Sequence, residues 1–423
     1  MNIKKENWKP GLIKIIADAK MASHSISQIS SSEKKKVLLA AAALLKKDAK
    51  FILSQNAKDV AQALKDGLST AMIDRLTLTP ERIAEMAEGV KAVASLPDPI
   101  GKILNKWKRP NGLEISKVTV PLGVILIIFE SRPNVTVECA SLCFKSGNAV
   151  ILRGGREAFH SNQALVSIFS RVYKKQGFPA GTVSAVNTTD RAAVDFLLKR
   201  EGDIHLVIPR GGKSLIKKVA RTSRIPVIKH YEGVCHVFVD KSADLKKAEA
   251  IILNAKLQRP GVCNAMETLL VHQKIAPVFL PAVGLKLQQG GCELRADNSA
   301  SRWLAGAKKA KNSDFGREYL DKILAVKVVD DVEAAMEHIQ RYGSGHTDAI
   351  ITADSKSAEI FANRVDSASV MVNASTRFSD GFQFGFGAEI GISTDKIHAR
   401  GPMGLEGLTS YKYIVRGSGQ IRK

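Results

Sequence analysis

The sequence predicts an α/β protein built from two domains of comparable size, with a β-hairpin that belongs to neither domain. Its 423 residues exceed the roughly 100–200 that one domain usually contains. Short apolar runs rich in valine and isoleucine alternate with helical stretches along most of the chain. That alternation is typical of parallel strands whose two faces are covered by helices.

The composition is that of an ordinary globular protein. Hydrophobic residues make up 45% of the chain and charged residues 25%, which excludes a disordered or collagen-like chain. The longest apolar run, residues 118–129, falls well short of the ~18 residues that a membrane helix needs. Lys4, Lys5 and Glu6 interrupt the start of the chain, so no secretory signal is predicted and we expect a cytoplasmic protein.

The charge balance is strongly positive. Lysine and arginine number 63 and aspartate and glutamate 41, a net charge of +22, which favours anionic partners such as nucleic acid, acidic lipid or a phosphorylated small molecule. Because the cations are spread along the chain and aromatic residues are not interleaved with them, a charged, solvated surface is a better interpretation than nucleic-acid binding. The five cysteines predict no disulfide framework. Cys139 and Cys143 are interpreted as buried thiols, and no metal site is expected.

The first hundred residues are predicted to be helical. Ser31-Ser32 can cap a helix that begins at Glu33, with Lys34 on its polar face. Residues 56–65 form a second helix that ends before a glycine. Pro80 occupies the first turn of a third helix, where its missing N–H would have no helical partner in any case.

A β-hairpin follows, predicted by Asn111-Gly112 between residues 103–108 and 114–120, because both central residues of a tight hairpin turn need positive φ angles. Its second strand runs directly into the apolar run that ends at Phe129. Further strands are predicted at residues 149–152, 204–208, 226–229, 236–240, 267–272, 323–329, 348–352 and 369–373. Helices are predicted between them, among others at residues 161–175, 191–201, 332–341 and 356–365. Two-domain α/β enzymes commonly place their site in the cleft between the domains.

Two Arg-Gly-Gly sequences are candidates for a cofactor site. Arg153-Gly154-Gly155 and Arg210-Gly211-Gly212 each follow a predicted buried strand. Glycine at a strand-to-helix turn lets the backbone approach a ligand, and the helix N-terminus beyond it attracts negative charge. Arg156 and Lys213 beside the turns suit a cofactor that carries phosphate. Taken singly, a Gly-Gly pair is more often a simple tight turn. The two equivalent placements make a cofactor site and a simple turn about equally good interpretations.

Two further residues are candidates for chemistry. Cys263 directly follows the Pro260-Gly261 turn, where backbone amides can stabilise a thiolate that is nucleophilic near neutral pH; the alternative is an inert buried cysteine. Cys235 is predicted to be inert, because it enters an apolar strand. Asn134 belongs to a polar cluster at the end of the most hydrophobic strand. It can donate its amide to a developing oxyanion or cap the following helix.

These clusters together resemble one known family. The chain is similar nearly end to end to the γ-glutamyl phosphate reductases, members of the aldehyde dehydrogenase superfamily. The matching blocks are Val120-Pro-Leu-Gly-Val124, Glu130-Ser-Arg-Pro-Asn-Val-Thr-Val137, Ser146-Gly-Asn-Ala-Val-Ile-Leu-Arg-Gly-Gly155, Ile208-Pro-Arg-Gly-Gly212, Gly233-Val-Cys-His236, Gln258-Arg-Pro, Cys263-Asn-Ala-Met-Glu-Thr-Leu-Leu-Val271, Val372-Asn-Ala-Ser-Thr-Arg-Phe378 and His398-Ala-Arg-Gly-Pro-Met-Gly-Leu-Glu406. The last two blocks distinguish this family from other aldehyde dehydrogenases.

The resemblance implies an aldehyde dehydrogenase-like fold: a Rossmann-type cofactor domain, an α/β catalytic domain and a small β oligomerisation element. We expect the cofactor domain at residues 1–105 and 122–233 and the catalytic domain, with its cysteine nucleophile, at residues 234–400. The oligomerisation hairpin and tail are expected at residues 106–121 and 401–423. The C-terminal strand, residues 409–415, would belong to that element.

The resemblance also implies an activity, the NADPH-dependent reduction of L-glutamyl 5-phosphate to L-glutamate 5-semialdehyde and phosphate in proline biosynthesis. Cys263 matches the nucleophile and Asn134 the oxyanion-stabilising residue. The expected cofactor-binding residues are Arg153, Gly154, Gly155, Arg156, Arg210, Gly211, Gly212 and Glu318, with Arg153 and Glu318 at the ribose positions. Ser375, Thr376 and Arg377 are candidates for binding the substrate α-carboxylate. The implied partners are further copies of the chain and glutamate 5-kinase, with neither nucleic acid nor membrane.

One departure from the hydrolytic aldehyde dehydrogenases bears on mechanism. Those enzymes use a glutamate to activate the deacylating water, and here the alignment places His230 at that position, with Glu232 shifted by two. An acyl phosphate reductase needs its thioester to meet hydride rather than water, so this absence is expected. A hydrolytic aldehyde dehydrogenase and a basic nucleic-acid-binding protein remain the two alternative hypotheses.

Overall fold

The structure, a computed structural model, describes residues 7–422, so Lys4, Lys5 and Glu6 lie outside it. The longer helices are α1 (Lys9–Ile26), α2 (Ser31–Lys47), α3 (Ala49–Lys65), α4 (Thr70–Leu76), α5 (Pro80–Ser95), α6 (Asn134–Lys145), α7 (Phe159–Lys175), α8 (Arg191–Leu197), α9 (Lys213–Thr222), α10 (Leu245–Leu257), α11 (Ala276–Gln289), α12 (Val332–Tyr342) and α13 (Ser355–Arg364). The strands are β1 (Ile103–Lys108), β2 (Glu114–Pro121), β3 (Val124–Phe129), β4 (Ala149–Arg153), β5 (Val183–Ala185), β6 (Leu206–Arg210), β7 (Cys235–Val239), β8 (Met266–His272), β9 (Glu293–Ala296), β10 (Lys308–Lys309), β11 (Ile323–Val329), β12 (Thr347–Ile351), β13 (Ser369–Val372), β14 (Ile392–Ser393), β15 (Gly401–Pro402) and β16 (Thr409–Arg416).

Two parallel sheets organise the molecule. The first has the strand order β5-β4-β3-β6 and the second the order β10-β9-β11-β8-β7-β12-β13. All six residues of β3 and all seven of β8 are buried, because helices cover both faces of these central strands. The predicted α/β class is confirmed.

The first core draws on residues from distant parts of the chain. Helices α1, α2, α5, α6 and α7 pack around the four-stranded sheet, and Ala388, Ile390 and Leu408 join the same core. The domain boundaries predicted from the sequence stay a proposal, yet Ala388 and Ile390 fall within the range expected for the second domain. The C-terminal part of the chain therefore contributes to the packing of the N-terminal part.

The start of α2 differs from the prediction. Ser30, not Ser31-Ser32, is the N-cap: its side chain accepts from the Glu33 backbone, and the Glu33 carboxylate accepts from the Ser30 N–H at 3.1 Å. Lys34 was expected on the polar face, but its side chain is only 1% exposed and its ammonium lies 2.9 Å from the Asp98 carboxylate. A buried ion pair therefore links α2 to the segment after α5. The helix predicted at residues 56–65 begins earlier, at Ala49.

The hairpin is confirmed, but its turn is longer than predicted. Strands β1 and β2 pair antiparallel, and β16 adds a third strand beside β2. Only Gly112 has a positive φ (87°); Asn111 does not. The loop closes through hydrogen bonds between Arg109 and both Gly112 and Leu113, so this is a five-residue loop and not a two-residue turn.

The hairpin does not run directly into the buried strand. Gly123, with φ 118°, separates β2 from β3, and a Cβ there would lie 2.7 Å from the His205 ring. The Gly123 N–H donates to Asn148, whose own amide donates to the Leu408 carbonyl just before β16. The prediction of a strand at residues 226–229 is also wrong. Only one isolated bridge, between Val207 and Val227, forms there.

The remaining strands and helices match their predicted positions with small shifts at the ends. All five cysteines lie in the described part of the chain, and all are free thiols. Within residues 7–422, no helix has both the length and the apolar character needed to span a bilayer. The same residues contain no cluster of side chains arranged to hold a metal ion.

Candidate active site

Cys263 lies in the turn between α10 and β8, as predicted. It is partly exposed, whereas the other four cysteines are buried. Gly233, just before β7, packs directly on its backbone, so that any Cβ at Gly233 would overlap the Cys263 carbonyl oxygen. The buried Cys235 thiol donates to that same carbonyl at 3.2 Å. Backbone packing therefore fixes the position of the candidate nucleophile, and the residue as a whole is partly exposed.

The predicted thiolate is not the resting state of Cys263. The pKa of its thiol is raised to about 12, chiefly by burial and in addition by the negative charges of Glu389 and Glu318. The Arg210 guanidinium and the residue's own backbone N–H act in the opposite direction without reversing the shift. The prediction that backbone amides make this sulfur a thiolate near neutral pH is therefore wrong for this state of the protein. The thiol must lose its proton when it reacts.

Glu318 is held against the same turn. Its carboxylate accepts from the Gly233 N–H at 2.9 Å, and burial raises its pKa. Two residues later, Leu320 has a φ of 54°, and its N–H donates to Glu267. Glu267 forms a fully buried ion pair with Lys256 at 2.7 Å. This pair therefore anchors the loop that carries Glu318.

Arg377 joins the two sides of the Cys263 turn. Its Nε donates to the side chain of Gln258 at 2.8 Å and its Nη1 to that of Asn264. Ser375, also expected to bind substrate, caps the short 3₁₀ helix Thr376–Phe378 by accepting from the Arg377 N–H. Thr376 is fully buried, and its hydroxyl has no hydrogen-bond partner among the described residues. Of these three residues, Arg377 therefore has the clearest contact with the turn that carries Cys263.

Asn134 is the first residue of α6 and not its cap. Pro133 is the N-cap residue, and no side chain caps the helix. The amide of Asn134 instead donates to Glu138 at 2.8 Å, one turn along the same helix. Burial raises the pKa of Glu138, and the nearby Arg132 and Arg210 oppose that shift. Since the amide has two N–H groups, one remains to serve as an oxyanion donor.

The second Arg-Gly-Gly turn interacts with the nucleophile and with groups of the protein itself. Arg210 donates to the Ile390 carbonyl, and its charge lowers the pKa of the Cys263 thiol. The Gly212 N–H, at the N-terminus of α9, already donates to the Glu130 carboxylate at 2.8 Å. Any Cβ at Gly211 would overlap that carboxylate. The anion site expected at this turn is therefore filled by the protein's own glutamate.

The first turn is organised differently. The Arg153 guanidinium donates to the carbonyls of Gly154 and Thr189, and its buried Nε has no partner. A Cβ at Gly155 would overlap the carboxylate of Glu157. Arg156 is exposed, and none of the contacts among the described residues engages its side chain. The first turn thus has both an unpaired buried N–H and a guanidinium available for an outside anion.

His230 and Glu232 do not provide a water-activating carboxylate. The His230 Nδ1 donates to the Ile392 carbonyl at 2.8 Å, its ring packs against His346, and burial lowers its pKa. Glu232 pairs with Lys213 at 2.5 Å, across from the second turn. Both side chains are therefore engaged in contacts of their own.

Sequence reasoning missed Glu389 and Glu138. The Glu389 carboxylate accepts from the Gly381 N–H at 2.9 Å, its pKa is raised by burial, and its charge acts on Cys263. The only sequence signal for Glu389 was its place between two glycines in a segment interpreted as loop. Glu138 has the helical spacing of four residues from Asn134, which predicts that their side chains can meet.

Comparison with known proteins identifies the family of this chain. The model of the aldehyde dehydrogenase family matches residues 9–298. A γ-glutamyl phosphate reductase of Carboxydothermus hydrogenoformans is 54% identical over 411 residues, which cover 97% of this chain and 99% of that protein. The chain belongs to the γ-glutamyl phosphate reductase family of aldehyde dehydrogenases. The resemblance found in the sequence is thereby confirmed.

Two further relatives extend this result. A γ-glutamyl phosphate reductase of Moorella thermoacetica is 52% identical over 405 residues, covering 96% of this chain and 97% of that protein. The crystal structure of the γ-glutamyl phosphate reductase of Thermotoga maritima superposes with a TM-score of 0.95 at 44% identity, covering 97% of this chain and all of that one. The chain is therefore an oxidoreductase with an aldehyde dehydrogenase fold.

Proposed function

We propose that this protein reduces L-glutamyl 5-phosphate to L-glutamate 5-semialdehyde and phosphate, with NADPH as reductant, through a thioester on Cys263. The observation that carries the proposal is the position of Cys263, a partly exposed residue packed against Gly233, which donates to Glu318, and followed by Asn264, which accepts from Arg377. The names of the relatives supply the substrate. In this proposal the reaction is a step of proline biosynthesis and takes place in the cytoplasm.

Cys263 carries out the covalent chemistry. Its sulfur loses a proton and attacks the acyl carbon, the bond from that carbon to the phosphate oxygen breaks, and phosphate leaves. Asn134 donates its free N–H to the oxyanion that forms, while Glu138 holds the other N–H. After reduction the carbon–sulfur bond breaks, the aldehyde leaves and the sulfur regains its proton. This covalent route divides one difficult reduction into two easier steps.

The residues of the first Arg-Gly-Gly turn fit a phosphorylated dinucleotide. The orphaned Nε of Arg153 and the unengaged guanidinium of Arg156 are donors without partners beside a turn where glycine lets a ligand approach. In this proposal Arg156 binds the phosphate that distinguishes NADPH from NADH, and Glu318 contacts the ribose beside the nicotinamide. When bound, NADPH supplies the hydride that reduces the thioester.

The remaining contacts favour reduction over hydrolysis. His230 is held by the Ile392 carbonyl and Glu232 by Lys213, so neither side chain is free to activate water.

The proposal also assigns the substrate carboxylate and the partners of the chain. Arg377, Ser375 and Thr376 would bind the α-carboxylate. The sheet of β1, β2 and β16 would join copies of the chain, and Trp107, Tyr411 and Tyr413 form a chain of edge-to-face aromatic contacts on it. Glutamate 5-kinase remains the expected partner that supplies the unstable acyl phosphate.

The assay that tests the proposal runs the reaction in reverse. The wild-type protein should oxidise glutamate 5-semialdehyde with NADP⁺ only when inorganic phosphate is present. Cys263→Ser should retain less than about a tenth of this rate, while Cys292→Ala, at a buried thiol of the second core, should retain most of it. Aldehyde oxidation to the free acid without phosphate would identify a hydrolytic enzyme instead. A fully active Cys263→Ser protein would exclude the thioester route.

A further inference from the structure

Among the described residues 7–422, five arginines around the candidate site form no ion pair. They are Arg75, Arg132, Arg210, Arg259 and Arg377. Arg82, Arg171 and Arg295 pair with carboxylates, whereas other arginines, such as Arg302, form no ion pair among residues 7–422. The five arginines are distinctive because several of them act on one another electrostatically beside the candidate nucleophile. Such a cluster of guanidinium groups favours an external anion.

Strand register and side-chain contacts bring these arginines together. Phe129 at the end of β3 pairs with Arg210 at the end of β6, and Arg132 follows three residues after Phe129. Arg259 lies four residues before Cys263, next to the Gln258 side chain that Arg377 contacts. Arg75 lies on α4. Asn56 ties the end of this helix to α7, the helix after the first Arg-Gly-Gly turn, because it donates both to the Leu76 carbonyl and to the Ser161 hydroxyl.

The electrostatics agree with this placement. Burial lowers the pKa of Arg132, and the positive charges of Arg75, Arg210 and Arg259 lower it further. The one carboxylate that opposes this shift is Glu138. These positive charges act on Arg132 with one opposing carboxylate, and a dianion bound among them would relieve the repulsion.

The five arginines are not equally available. Arg210 donates to the Ile390 carbonyl, and Arg377 donates to two side-chain amide oxygens. None of the hydrogen bonds among the described residues engages the side chains of Arg75, Arg132 and Arg259, and all three residues are solvent-accessible. This difference separates two positioned arginines from three that can bind a ligand with the full guanidinium.

We propose that Arg132 and Arg259, assisted by Arg75, form the subsite that holds the phosphoryl group of the acyl phosphate and, in the reverse direction, inorganic phosphate. The inference rests on the proposed function and goes beyond it by assigning the phosphate to residues. Arg132 lies two residues before the oxyanion donor Asn134, and Arg259 four residues before Cys263. The subsite thus adjoins both groups that act on the acyl carbon, and the departing phosphate leaves towards the three free guanidinium groups. The α-carboxylate, the other anionic group of the substrate, stays with Arg377.

Reverse-direction kinetics separate the two anions. In Arg132→Ala and Arg259→Ala the KM for inorganic phosphate should rise by about tenfold or more, because a charged bidentate partner is lost. The KM values for the semialdehyde and NADP⁺ should stay within about twofold. Arg132→Lys should recover part of the loss. Arg302→Ala, at an exposed arginine on the second domain without an ion pair, should match the wild type.

A binding measurement gives a readout besides turnover. Phosphate, at constant ionic strength, should protect Cys263 from iodoacetamide, and the concentration for half-protection should rise in the two alanine variants by the same factor as KM. An unchanged phosphate KM in the Arg132→Ala/Arg259→Ala double variant would overturn the assignment, as would equal increases for phosphate and semialdehyde. A wild-type protein with no phosphate dependence would instead overturn the proposed function itself.

Discussion

The two Arg-Gly-Gly turns have the same sequence and equivalent places in the fold, yet they serve different parts of the molecule. Strands β4 and β6 flank β3, so both turns lie at the carboxyl edge of the first sheet, one on each side of it. Arg153 donates to the carbonyls of Gly154 and Thr189, whereas Arg210 donates to the carbonyl of Ile390, which is far from it in sequence. The short motif therefore predicts a turn, but the contacts of each turn with the rest of the chain determine what its arginine binds.

Carboxylates explain much of the difference. Glu130 accepts the Gly212 N–H at the second turn, and Glu157 accepts the Ser131 N–H and hydroxyl beside the first. The helix terminus after the second turn is therefore neutralised from within, and Arg210 acts on Cys263 instead. The first turn keeps Arg156 for a ligand. In the proposed function, the first turn therefore binds the cofactor and the second supports the nucleophile.

Among the variants that test the difference between the two turns, Arg210→Ala is expected to have the largest effect on activity. The substitution removes the cation that favours the Cys263 thiolate and leaves the Ile390 carbonyl without its donor, so kcat/KM should fall by about 100-fold. Alkylation of Cys263 should also slow. Arg153→Ala is the matched control at the first turn, and there the KM for cofactor should change instead. Equal slowing of alkylation in both variants would show that the turns are not specialised.

The pH dependence of Cys263 sharpens the same contrast. With a thiol pKa of about 12, the sulfur is protonated at neutral pH, and its thiolate fraction should rise about tenfold per pH unit. Alkylation by iodoacetamide should therefore accelerate without levelling off between roughly pH 7 and pH 9. Subtracting the rate of Cys263→Ser removes the contribution of the four buried thiols. A plateau near pH 7 would mean that the thiolate is favoured after all.

Arg156→Ala tests the first turn directly. The variant should lose about tenfold in kcat/KM for NADPH and little for NADH, because a phosphate contact is removed. Its thermal stability should stay unchanged, since the side chain is exposed and makes no internal contact. Lys213→Ala provides the counterpart at the second turn. Equal losses with both cofactors would place the distinguishing phosphate elsewhere.

The smallest effect is expected from the two internal carboxylates. Glu130→Gln keeps an acceptor for the Gly212 N–H but removes its charge, so the free energy of unfolding should fall by about 1 kcal/mol. Glu157→Gln should cost a similar amount, because it weakens two hydrogen bonds to Ser131. Urea unfolding monitored by circular dichroism measures both. A stabilised Glu130→Gln protein would argue that the second turn is kept open for an outside anion.

Local sequence patterns predicted most of the fold. Apolar runs such as 124–129 identify buried strands whatever their neighbours, and the order of strands and helices follows from them. The errors arose where distant partners decide the outcome. Lys34 is buried because Asp98 pairs with it, and residues 226–229 fail to form a strand because only Val227 meets β6. Neither fact is visible in a short stretch of sequence.

The roles of the site residues stay a prediction, but their electrostatic state could not be predicted at all. The structure places Glu318 and Arg377 in contact with residues that pack on or follow Cys263. The raised pKa of Cys263 depends on burial and on the charge of Glu389, a residue far from the cysteine in sequence. Helical or strand periodicity carries no information about such a contact. The charge states of the groups around Cys263 could therefore be assigned only from the folded structure.

The third strand of the small sheet has a consequence for how the chain is made. Because β16 pairs with β2 along its whole length, and Asn148 binds the carbonyl of Leu408 just before it, these contacts cannot form until residues 408–416 have been synthesised. A polypeptide that stopped before Thr409 would present the open edge of β2 to other nascent chains. The small sheet is therefore assembled from segments that the ribosome produces at widely separated times.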